Sequence, residues 1–197
     1  MSGKRTTKRW AAAGLGLVCA GALASAVVAA RVDDGSDLVA AIEEAPMTHV
    51  ADIAAGDGAP ERGVYVQRTE TGHLCVWEAP SATSRQRGGG CNTADDPLNG
   101  APISATLSYD GGPAIAGVSE ATLFGLADAG VARVGVLMSD GTSREVKLKK
   151  ARIGSDEFQA FGYRFKKADL RKGIGPVAVV AVDAAGIELG RQPTGIG

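Results

Sequence analysis

The stretch HLCVWEAPSATSRQRGGGC, from His73 to Cys91, holds one of the two histidines and two of the three cysteines in the chain. Three chemistries are open to these residues. A metal site would use His73, Cys75 and Cys91, with His49 as a fourth ligand, because H-x-C places two side chains on one face of a strand. Zinc sites usually show paired close spacings such as C-x-x-C, and none occurs here. A redox centre needs a cysteine of lowered pKa, typically in the same motif. A disulfide needs only an oxidising compartment. Cys19 sits in an apolar run, so Cys75 and Cys91 are left as the one available pair. Closing that loop should contribute roughly 3 kcal/mol by the chain-entropy estimate. The spacing favours the disulfide, and no metal or cofactor is expected. The intervening PSATSRQRGGG reads as a flexible loop, with Gly88, Gly89 and Gly90 as slack beside Cys91.

Other candidates for catalysis are thinner. Gly117-Val118-Ser119-Glu120-Ala121 approaches the G-x-S-x-G nucleophile elbow. That elbow needs a helix after the serine and a later histidine, whereas a strand pattern follows Ser119 and both histidines precede it. Paired carboxylates for glycoside hydrolysis stay open because acids are plentiful; Asp95-Asp96 is an adjacent acid pair, and Pro97 marks it as a turn. No residue is assigned a catalytic role.

Charge is uneven along the chain, although the net value is only −1, which argues against a dedicated nucleic-acid binder. From Val32 to Asp96 there are twelve acidic residues against four arginines; from Arg144 to Lys172 there are ten basic residues against four acidic ones. Arg144, Lys147, Lys149 and Lys150 lie on or beside one predicted strand, and Lys166 and Lys167 begin the next basic segment. If the two segments pair, these six residues share an anion-binding face suited to an envelope polymer or lipid head groups. The plainer reading is a solvated lysine face that guards strand edges.

The elements that would position these groups begin with MSGKRTTKRW, followed by the uncharged run Ala11 to Ala30 and then Arg31, Asp33, Asp34 and Asp37. Basic before and acidic after orients such a segment with its N-terminus inside. Residues 1–31 read either as a cleaved signal peptide, with Ala24-Ser25-Ala26 or Val28-Ala29-Ala30 at the exit, or as a retained membrane anchor through residues 11–30. Either reading exports the remainder, as a secreted or a membrane-anchored domain. Residues 32–61 read as a linker carrying a short helix over about 36–45, capped by Ser36 and stopped by Pro46.

From Arg62 the apolar period becomes two. Val64 and Val66, a turn at Thr69 to Gly72, and Leu74 to Trp77 make a hairpin signal, and Ile103 to Tyr109 a further strand. Residues 62–112 form a hairpin region with the disulfide loop, and residues 113–197 a second, sandwich-like region. In the latter, strands are expected at Ala121–Leu126, Val131–Met138 and Arg144–Lys150, with Val146 and Leu148 inward, and then around Phe161, Tyr163 and Phe165. The unbroken run Val177–Val182 predicts a strand buried on both faces. No helix is expected after residue 46. The fold class is therefore all-β, a sandwich or barrel of short antiparallel strands behind an N-terminal membrane or signal helix.

Leu126 to Thr142, LADAGVARVGVLMSDGT, and the ending VAVVAVDAAGIELGR resemble the C-terminal parts of exported β-domain proteins of high-GC Gram-positive bacteria. The resemblance covers about a third of the chain. It implies an exported β domain, and no activity or functional residue is carried over. Two function classes follow from the sequence: a non-enzymatic envelope or secreted β domain acting as an interaction module, and a small exported hydrolase whose catalytic residues escape recognition.

Overall fold

The computed structural model describes residues 46–54, 61–70, 72–92, 97–110 and 118–194. The expected membrane or signal helix and the helix over about 36–45 lie outside them. Among the described residues no helix is long and apolar enough to cross a membrane.

Among the described residues, twelve strands make three four-stranded antiparallel sheets. The first sheet has the order β1 (Thr48–Ile53), β2 (Arg62–Arg68), β3 (Leu74–Ala79), β4 (Gly88–Asn92). The second has the order β5 (Ile103–Tyr109), β6 (Ala121–Asp128), β10 (Asp156–Arg164), β9 (Leu148–Ile153). The third runs β12 (Glu188–Pro193), β11 (Pro176–Val182), β7 (Arg133–Met138), β8 (Ser143–Val146). None of the sheets closes on itself, so the sandwich is the form taken and the barrel is not.

Alternation along the strands explains why the layers stack. On β6 and β10, Leu123, Ala127 and Phe161 face Val134, Val136, Val179 and Ala181 of the third sheet. Phe124, Leu126, Phe158 and Ala160 face the other way, onto Ile53, Val64, Val66 and Leu74 of the first sheet. The second sheet is thus the middle layer, and Ala121 to Ala127 of β6 are all buried. β11 is interior to its own sheet, as its apolar run predicts. Its outward Val180 is buried between Gly135 and Arg191 on the neighbouring strands.

Several expectations need correction. The linker predicted over 32–61 contains β1, whose Ala51 and Ile53 enter the core between the first two sheets. The border between regions at 112 and 113 runs through one sheet, because β5 pairs with β6. The glycines expected as slack form β4. Gly89 lies opposite Trp77 with φ +145, and a Cβ there would meet the Val76 carbonyl at 2.1 Å, so glycine is what lets the strand approach. The single strand expected over Arg144–Lys150 breaks at Lys147, where the chain leaves the third sheet and enters the middle one. Val146 and Leu148 still point into one core, between those two sheets, and that shared burial explains the corner. One helical turn, α1 (Lys167–Leu170), does follow residue 46 and buries Leu170.

Candidate functional site

Cys75 and Cys91 are joined by a disulfide and sit directly opposite each other on β3 and β4. The bond lies on the outer face of the first sheet with Met47, Tyr65, Trp77 and Ala79. Trp77 donates its indole N–H to Gln67 Oε1 at 2.9 Å, and the Arg87 guanidinium covers the ring at 4.8 Å. The two histidines have other partners. His49 pairs with Asp52 at 3.0 Å and tilts against Tyr65, while the His73 amide donates to Thr69 at the β2–β3 turn. Among the described residues no group of three or more His, Cys, Asp or Glu is placed to hold a metal.

Ser119 forms a clasp with Asp110. Its hydroxyl donates to Asp110 Oδ2, and Asp110 Oδ1 accepts the backbone N–H groups of Ser119 and Glu120. The Ser119 hydroxyl in particular holds the Asp110 carboxyl below its usual range. β6 rather than a helix follows Ser119, so the elbow geometry is missing at this serine.

The basic residues are not one strand pair. β9 pairs with β10, and the segment from Lys166 turns into α1. Arg144 on β8 reaches Asp169 of α1 at 3.8 Å, which ties the two basic segments together. It also bonds Tyr163, whose hydroxyl pKa is raised chiefly by burial. Lys149 pairs with Asp52 at 3.6 Å and Lys167 with Glu120 at 3.4 Å. Lys147, Lys150 and Lys166 are exposed and take no ion-pair partner among the described residues. Lys147 occupies the corner between β8 and β9, and Lys150 lies on β9, an edge strand of the middle sheet.

No family model, curated protein or solved structure matches the chain. The site is read from its own geometry.

Sequence reasoning missed a polar row between the first and middle sheets. Glu78, buried on β3, accepts from Arg62 Nε at 2.5 Å and from Ser108 Oγ at 3.2 Å. Arg62 Nη2 also donates to the Gln86 carbonyl at 3.4 Å. Ser108 lies opposite Thr122, and Thr122 opposite Arg164, so three polar residues cross β5, β6 and β10 in a line. The available signal was Arg164 within FGYRF. The aromatic residues Phe161, Tyr163 and Phe165 take one face of that segment, and Gly162 and Arg164 take the other.

Proposed function

We propose that this chain is an extracytoplasmic, non-catalytic β domain that binds an anionic envelope polymer at the basic corner between β8 and β9. The observation that carries this reading is the set of exposed, unpaired lysines Lys147, Lys150 and Lys166, standing beside neighbours whose charges are neutralised. The Cys75–Cys91 disulfide supports an oxidising compartment. The exported β proteins that the C-terminal third resembles fit the same placement. A polymer is favoured over lipid head groups by what surrounds the lysines. The exposed large apolar residues among those described are Tyr109, Ile187 and Leu189, and none belongs to the corner, so nothing there would insert into a bilayer.

Binding should be weak and strongly dependent on salt, because exposed charges are screened within about 8 Å at physiological ionic strength. Titration with polyphosphate at rising salt measures it. Lys147→Glu with Lys150→Glu should weaken binding roughly tenfold or more, at about 1 kcal/mol per lysine near an anionic surface. Arg85→Glu on the β3–β4 loop should leave it unchanged. Binding that ignores salt, or that is equal in all three proteins, removes the proposal; preferential binding to anionic vesicles replaces the polymer with a lipid surface.

A further inference from the structure

Arg164 ends β10 on the face that looks toward the first sheet. The face is set by its neighbours: a Cβ on Gly162 would meet Ile53 and Val64, and Tyr163 between them packs into the opposite core. The residue is half-buried, and its Nη1 is shielded from solvent with no hydrogen-bond partner among the described residues. Nor does its guanidinium join any ion pair among them. A guanidinium does not discharge on burial as a lysine can. A shielded charged donor left without an acceptor is costly, and native structures rarely keep one without a reason such as a bound ion.

The buried acid on the same seam is already committed. Glu78 faces the same seam, with Oε2 taken by Arg62 and Oε1 by Ser108. Those contacts neutralise Arg62 and leave the charge of Arg164 uncompensated. Beside Arg164 stands Thr122, a buried residue with a hydroxyl that can both donate and accept. The strand on the other flank stops short: β9 pairs with β10 only as far as Phe161, so Arg164 lies at an unpaired stretch of sheet edge.

We infer that Arg164, with Thr122 beside it, forms a binding site for a single oxyanion group, a phosphate or a carboxylate, at the seam between the first and middle sheets. The fork of a guanidinium suits both by paired N–H···O bonds. The site is distinct from Lys147 and Lys150, which lie at the corner between β8 and β9 and on β9.

The test is thermal unfolding of the wild-type protein, Arg164→Met, Thr122→Val and Lys147→Glu with Lys150→Glu, each with inorganic phosphate, acetate or chloride at matched ionic strength. At about ten times its Kd the bound anion should raise the wild-type Tm by roughly 3–5 °C. A shift with phosphate assigns phosphate chemistry to the site, and a shift with acetate assigns carboxylate chemistry. The shift should vanish in Arg164→Met, shrink in Thr122→Val and persist in the double lysine variant. Without added oxyanion, Arg164→Met should melt at or above the wild-type temperature, because it removes an uncompensated charge and keeps most of the side-chain volume. A lower Tm for Arg164→Met in chloride means that the arginine has a partner within the protein, and overturns the inference. So does a wild-type Tm indifferent to both oxyanions, or a shift that is equal in Arg164→Met. Loss of the shift in the lysine variant alone assigns the effect to the corner and also overturns it.

Discussion

Toward the third sheet, the middle sheet presents Leu123, Ala127 and Phe161; toward the first, it presents Phe124, Leu126 and Ala160, and then the row Ser108, Thr122 and Arg164 across β5, β6 and β10. One seam is apolar apart from Tyr163, which bonds Arg144, and Gln192, which bonds the Ala105 backbone. The other is apolar at one end and carries arginine, glutamate and hydroxyl groups at the other. Burying carbon is favourable without regard to direction, so the first seam needs only volume and shape. Burying Glu78 demands that each oxygen find a donor, and Arg62 and Ser108 supply them. A hydrophobic replacement of such a pair is often neutral or stabilising, so the pair is weak evidence for stability and better evidence for a fixed arrangement of that end.

The largest difference between the seams should appear on cutting the apolar one. Phe161→Ala empties a fully buried ring site and should cost about 3–5 kcal/mol, read as a lower urea midpoint with an unchanged slope. A loss no greater than that of an exposed-site variant would mean the seam is not packed as described. The polar end should behave differently. Glu78→Ala alone strands Arg62 and should cost about 2 kcal/mol, whereas Glu78→Leu with Arg62→Met should recover most of it, because both partners leave together. Failure of the double variant to recover would show that the Ser108 and Gln86 contacts, not the Arg62–Glu78 pair, carry the cost. The smallest effect belongs to the loop clasp. The folded pKa of Asp110 lies below its ordinary value, so the unfolded chain takes up the proton first as pH falls. Its contribution is complete above the ordinary carboxylate range near pH 4 and is lost as pH drops through the lower folded value. Since Asp110 is exposed, Asp110→Asn should change stability by about 0.5 kcal/mol or less at pH 7 and flatten the acid limb between about pH 5 and 3. An acid limb unchanged by Asp110→Asn would detach the clasp from the pH dependence.

The two seams also differ in how well sequence alone predicts them. Period-two alternation marks Val64 and Val66, and Val146 and Leu148, as inward, and all four are buried or packed against a core. The disulfide follows from a count of cysteines and a compartment. What alternation cannot supply is which sheet a strand joins. Arg144 to Lys150 alternates without a break, yet the chain changes layer at Lys147, because the preference for one core is satisfied equally on either side of the corner. β4 was hidden for a different reason: glycine carries no side-chain pattern, and its strand forms because Gly89 permits close backbone approach. Of the six basic residues expected to share a face, three are paired with acids contributed from elsewhere in the chain. Those pairings depend on tertiary geometry, as does the row from Ser108 to Arg164, whose members are spread over three strands.

The disulfide has a consequence for survival against proteases. The exposed part of the chain between its two cysteines includes Ser81, Ala82 and Thr83, with Arg85 close behind them on the same loop. Peptide bonds in such a loop are the ones a secreted protease reaches first. A cut there divides the chain in two, but Cys75 and Cys91 flank it on paired strands, so the pieces remain one covalent molecule with β3 and β4 still facing each other. Such a nick would be invisible on a non-reducing gel and would appear as two bands once a reductant is added. The bond thus gives the domain tolerance of damage at the place where damage is most readily done.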